Sequence, residues 1–422
     1  MNFSAKSRLA GGVALCLLAG LPFAAQATEG YFALGYGTAQ RGVAGAGVAF
    51  SQDAMSGAIN PAAVASVGHQ MNMGVELFAP FREYTGTGTM MIAPGTVKSD
   101  QNIFPVPNFA YNRPLANGAV LNFAVYGNGG MNTSYPAVAN SALGCGGGTG
   151  VFCGGEAGVD LTQLFISATY AKKDGAFSWG IAPTLAIQSF GAEGLGAFAG
   201  MSVNGANMTN MAHEMSYGVG LRLGMQYEVS PQLTLGLSGQ TRFDMSKFDK
   251  YAGLFEDGGD FDIPASITAG LAFKARSDLT LLLDVQRIFY SDIGAVGNAT
   301  DAGAFGAAGG AGFGWDDVDV IRIGAEWQQS PDMTWRAGYA HATNPIGPED
   351  VALNILAPGV VEDHFSVGGS KRLNDRDQLD FSVSYVLSNS VSNPSIPLAM
   401  GGGAVEIKMH QVSAAIGWTR KF

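Results

Sequence analysis

Charge is scarce in this 422-residue chain: only 14% of residues are Asp, Glu, Lys or Arg, against roughly 25% in soluble domains. The net charge of −11 carries no compensating basic cluster, so no nucleic-acid footprint is present. The five histidines (His69, His213, His341, His364, His410) are scattered, and no metal or cofactor motif can be built from them. Gly-x-Ser-x-Gly, His-Glu-x-x-His and Walker patterns are missing, which leaves an enzyme without a recognisable catalytic set. Long apolar runs are also missing after the first 27 residues, so no transmembrane helix is expected there. Cysteine is rare. Of three, Cys16 falls in the leading segment, while Cys145 and Cys153 share one Gly-rich stretch. A small disulfide stapling a loop is the sensible use for that pair in an oxidising compartment.

What is abundant makes these absences informative. Hydrophobic residues reach 47% and glycines number 61. A chain this apolar, without helix-length runs, has few folds open to it. One is a membrane β-barrel, where the apolar signal is spread over many short segments.

The leading segment reads as an export signal. Lys6 and Arg8 precede an apolar stretch from Leu9 to Leu21, and Ala25-Gln26-Ala27 supplies a small-x-small cleavage pattern. Residues 1–27 are therefore expected to be removed, leaving a net charge of −13 once Lys6 and Arg8 are gone.

Beyond it the dominant period is two. Tyr217, Val219, Leu221, Leu223, Met225, Tyr227 and Val229 alternate with Gly218, Gly220, Arg222, Gly224, Gln226 and Glu228. Charged residues interleaved this way face a lumen while the apolar set faces lipid. Similar alternation surrounds Leu185, Leu235, Leu271, Ile323, Phe381 and Ile416. Short polar connections (such as Lys172-Lys173-Asp174-Gly175) alternate with long ones near 131–161, 191–213, 245–262, 292–315, 343–362 and 389–404. That asymmetry belongs to outer-membrane barrels, and the count from residue 67 to 422 is about 14 antiparallel strands, an even number. The last strand ends on Phe422. A soluble sandwich is disfavoured because nothing guards its edges, whereas closure removes them.

Residues 28–66 do not alternate. They are small, Gly-rich and nearly uncharged, too apolar for a free tail and too short for a core of their own, so a plug of short helices and turns inside the lumen is expected. Here Gly35-Tyr36-Gly37, Arg41-Gly42-Val43-Ala44-Gly45-Ala46-Gly47, Asp53-Ala54 and above all Asn60-Pro61-Ala62 resemble the FadL/TodX outer-membrane transporters of fatty acids and aromatic hydrocarbons. The resemblance implies a monomeric 14-stranded barrel with an N-terminal hatch. It also implies that Asn60, Pro61 and Ala62 accompany an inward kink of the third strand, which opens the wall sideways. The glycines at Gly127, Gly129 and Gly130 suit such a kink.

On that resemblance the function is passive outer-membrane uptake of hydrophobic small molecules, with long-chain fatty acids first. Two long loops carry the apolar side chains expected to capture them: Phe198, Met201, Met208 and Met211 in one, Phe248, Leu254 and Phe255 in the other. Packing of these loops on each other is an equal reading. Fatty-acid members place a basic residue near the end of the fifth strand. This chain has Leu185-Ala186-Ile187-Gln188-Ser189-Phe190 there, so Arg242 is the first choice for a carboxylate partner, unless the ligand is uncharged. An aromatic-hydrocarbon channel and a general diffusion porin are the alternatives. The surrounding partners would be lipid and lipopolysaccharide.

Overall fold

The computed structural model describes residues 28–396 and 402–422. The expected export signal at 1–27 lies outside the described residues, as does part of the last long loop. Fourteen antiparallel strands form one closed ring. They are β1 (Gln70–Thr87), β2 (Phe104–Pro114), β3 (Ala119–Asn132), β4 (Gly158–Asp174), β5 (Phe177–Glu193), β6 (Glu214–Glu228) and β7 (Leu233–Gln240). There follow β8 (Ser266–Arg276), β9 (Leu279–Ile288), β10 (Val318–Ser330), β11 (Met333–Ala342), β12 (Asp363–Arg372), β13 (Asp377–Asn393) and β14 (Ala404–Lys421). Each strand pairs with its chain neighbours, and β14 closes on β1 from Gln70↔Lys421 to Thr87↔Ala404. Two further short strands lie outside this ring order. Gly95–Lys98 pairs with β1, and Asp244–Met245 with β6.

The alternation has the orientation expected. On β6, Tyr217, Val219, Leu223, Met225 and Tyr227 are exposed, while Ser216, Arg222 and Gln226 are buried. Exposed apolar side chains in a closed ring are a lipid-facing band; the polar set faces a filled lumen. Phe422 ends the chain on the outer surface, its ring 4.8 Å from His69, and its N–H donates to the His69 carbonyl. The first outer connection, residues 88–103, is shorter than most of the others and holds the short strand Gly95–Lys98.

Residues 28–67 fill the barrel. They form a four-residue helix (Thr38–Arg41) and two short 3-10 helices (Ala54–Ala58 and Pro61–Ser66), and residues 28–49 are buried throughout. Polar bonds fasten this plug to the wall. Arg41 meets Glu76 of β1 at 2.7 Å. Glu29 accepts from Arg322 of β10 at 3.0 Å. The Asp284 carboxylate of β9 accepts from the Gly47 and Val48 N–H groups at 2.7 and 2.9 Å. Buried ions held this way leave no charge without a partner.

Candidate functional site: an interrupted wall and its seal

Among the described residues, neighbouring strands of the ring part at one place. β3 pairs with β2 only from Pro114↔Val120 to Asn108↔Tyr126. Beyond that point β2 continues to Phe104 along β1 alone, and β3 continues to Asn132 along β4 alone. Asn128 bulges out of the β3–β4 ladder, between Gly127↔Leu164 and Gly129↔Gln163. From Ala124 to Asn132 every residue of β3 is buried, where a strand lying in the wall would alternate. The upper half of β3 has bent into the lumen.

The cause lies partly in β2. Pro105 and Pro107 have the same parity, so both missing N–H groups fall on one edge. The pairing with β1 runs past both prolines, whereas the pairing with β3 stops just before them. The bulge supplies the bend. Asn128 holds it by donating to Gln163 Oε1 at 2.8 Å and accepting from the Tyr36 hydroxyl at 3.1 Å.

The vacated edge of β3 is taken by the plug. Ala33 donates to the Asn128 carbonyl and Gly130 donates to the Tyr31 carbonyl, both at 3.0 Å, and Phe32 forms a bridge with Gly129. Gly129 is required: a β-carbon there would lie 1.8 Å from the Tyr31 carbonyl oxygen. Tyr290 clasps the same segment. Its hydroxyl accepts from the Tyr31 and Phe32 N–H groups (3.0 and 3.1 Å) and donates to the Glu29 carbonyl (2.7 Å). Val106 fills what is left of the breach, with Cγ1 3.1 Å from where a β-carbon on Gly127 would stand.

Asn60-Pro61-Ala62 sits elsewhere. Asn60 caps the helix Pro61–Ser66 by accepting from Ala62 N–H at 3.0 Å, and donates to the Val48 and Met225 carbonyls at 2.6 and 3.1 Å. A β-carbon on Gly224 would meet Asn60 Oδ1 at 1.9 Å. The motif therefore packs on β5 and β6, with Val64 against Val120 and Ala171 near the periplasmic ends of β3 and β4. It anchors the foot of the plug, while residues 31–33 meet Gly127–Gly130.

The two apolar loops are closed over one another. Met208, Phe248, Leu254 and Phe255 are buried, Phe198 and Met211 are half-buried, and Met201 stays exposed. Gly253 donates to Asn207 O at 2.8 Å and Ser202 to Gly253 O at 2.7 Å, joining the loops. Their rings continue inward: Phe190 to Phe255 at 4.7 Å, Phe255 to Phe261 at 4.8 Å, Phe261 to Tyr31 at 6.3 Å, Tyr31 to Phe32 at 5.5 Å. An apolar column thus runs from the outer loops to the seal. Cys145 and Cys153 are bonded, with Cα atoms 5.2 Å apart.

Arg242 is not a lumen cation. It stands past the end of β7, partly exposed. It bonds to Asp262 at 2.6 Å, lies 3.7 Å from Asp244, and donates to Asp292 O at 3.1 Å. Arg222 takes the inward position. It is buried, with its guanidinium 5.6 Å from the Tyr36 ring centre, and it donates to Gln240 and to the Tyr126 hydroxyl. Among the described residues no carboxylate pairs with it. A cavity of about 40 Å3 adjoins it, lined in part by Phe32, Leu34, Tyr36 and Ile59.

A family model described as outer membrane protein transport protein (OMPP1/FadL/TodX) matches residues 21–419. The chain belongs to this family. It is accordingly an outer-membrane barrel of a family that transports hydrophobic compounds, and the family is one of channels and not of enzymes. The fold is similar to that of the Pseudomonas putida toluene transporter TodX, with 17% identity and a TM-score of 0.67 over 94% of this chain and 100% of that one. A Pseudomonas aeruginosa FadL homologue gives 16% and 0.68 over 93% and 100%. The Ralstonia pickettii toluene transporter TbuX gives 17% and 0.63 over 92% and 98%. No curated protein matches the chain.

Proposed function

We propose that this barrel takes up long-chain fatty acids, captured by the two outer loops and released sideways between β2 and β3. The observation that carries this reading is the parting of β2 and β3 at Asn108 and Tyr126, with residues 31–33 on the vacated edge. An axial exit would waste the apolar column: each methylene left in water forfeits about 0.8 kcal/mol of burial. A sideways exit keeps the chain out of water from loop to bilayer. Residues 28–66 and the Asn60-Pro61-Ala62 foot act as the hatch, Phe198, Met201, Met208, Met211, Phe248, Leu254 and Phe255 line the entry once the loops part, and one closed ring works as a monomer. Arg222, in place of Arg242, receives the carboxylate.

A porin role is the weaker reading, because the lumen is packed with plug. Uptake of aromatic hydrocarbons has a specific point in its favour, the missing cation at the end of β5. Uptake of labelled oleate and of toluene by cells carrying the wild type or Arg222→Gln separates the two. Oleate uptake is expected to fall at least severalfold in the variant with toluene unchanged. Equal oleate uptake by cells with and without the protein would remove the proposal.

A further inference from the structure

The outward apolar row of β1 runs through Met71, Met73, Val75 and Leu77 and ends at Phe81, which stacks on His410 of β14 at 4.8 Å and 14°. One row further out, cross-strand pairing sets Glu83 between Lys408 of β14 and Lys98 of the short strand. The carboxylate lies 3.4 Å from Lys408 and 3.8 Å from Lys98. Glu406, one row beyond, is exposed and bonds to neither lysine. A groove of about 470 Å3 opens here, with Phe81, Tyr385, Lys98, Lys408, His410 and Glu83 among its lining.

Two lysines sharing one carboxylate contrast with three other cations of the outer rim, each of which has a carboxylate of its own. Lys247 pairs with Asp257, Arg242 with Asp262 and Asp244, and Arg287 with Asp317 and Asp319. In a chain of net charge −11, this is a local excess of positive charge. It faces outward at the level where the apolar band gives way to polar residues. Aromatic rings below and ammonium groups above are complementary to an anionic amphiphile, with acyl chains along the wall and phosphate on the lysines.

We propose that this groove binds a phosphate group of the outer-leaflet glycolipid, with Lys98 and Lys408 as its ligands and Phe81, His410 and Tyr385 as the platform for the sugar and acyl chains. The site is independent of the cargo and of the exit route.

The test uses the full barrel in detergent micelles, measuring retention of purified diphosphorylated lipid A by native mass spectrometry. The variants are Lys98→Gln/Lys408→Gln, Lys408→Gln alone and Glu83→Gln, and the control is Arg276→Gln/Arg372→Gln at the opposite rim. Folding is checked by heat-modifiable gel mobility. Each lysine removed is expected to lower retention about fivefold. Glu83→Gln, which frees both lysines, is expected to raise it, and the control to leave it unchanged. If the double variant does not fold, the single variant and Glu83→Gln decide. The proposal is overturned if the lysine variants retain lipid A as the wild type does, if the control loses it equally, or if dephosphorylated lipid A or phosphatidylglycerol is held as well as the diphosphorylated form.

Discussion

Gly129 leaves no room for a side chain beneath the Tyr31 carbonyl, and the bonds of residues 31–33 depend on that approach. Gly129→Val should expel the segment from the edge of β3. Hydrogen exchange at residues 31–33 is expected to rise sharply while exchange in β6 stays slow. Unchanged protection would show that Gly129 is not what admits the seal. Glu29 and Arg322 form a second fastening, both almost fully buried. Removing one member of such a pair costs about 3–5 kcal/mol, so Glu29→Gln should free the N-terminal segment and lower the midpoint of thermal unfolding. Outside the membrane, burial and the neighbouring Asp262 push the Asp260 carboxyl up to about 6. An acid whose pKa is raised on folding binds its proton more tightly in the folded form, so the loop at 241–265 gains stability as pH falls from 7 towards 5. Limited proteolysis of that loop should therefore be slower at pH 5 than at pH 7; faster cleavage would reverse the sign.

At the scale of elements, β2 and β3 decide whether the wall is whole. Replacing Pro105 and Pro107 by Val restores two N–H donors to the donor-free edge of β2. Hydrophobe uptake is expected to drop as β3 is drawn back into the ladder, with the strand content of the barrel unchanged or slightly higher by circular dichroism. Uptake equal to wild type would mean that the prolines do not maintain the breach. This element also shows what could be seen in the sequence. The alternation on β6 and the paired lengths of turns and loops carried the barrel, because lipid and lumen impose opposite chemistry on successive residues. The bend was implied by the family resemblance, and the glycines at 127, 129 and 130 suited it. Pro105 and Pro107 were an available signal that periodicity alone passes over, since both fit an apolar row. Tyr290, Glu29 and Asn128 gave no local sign. Their roles arise from contacts across 259, 293 and 35 positions of chain. Arg242 lies past Gln240, where β7 ends and the alternation stops; Arg222, mid-strand, obeys the pattern.

At the scale of the molecule, a closed ring, a fastened plug and a buried apolar column meet at the interruption between β2 and β3. If hydrophobes leave there, closing it covalently must stop them without harming the barrel. Val106→Cys/Gly127→Cys places two thiols at that interruption, where Val106 Cγ1 stands 3.1 Å from the position of a β-carbon on Gly127. The decisive measurement is labelled oleate uptake by cells carrying this variant, oxidised and then reduced. The account predicts uptake that is lost on oxidation and restored by reductant. Uptake that continues unchanged with the bond formed would place the exit elsewhere and contradict it.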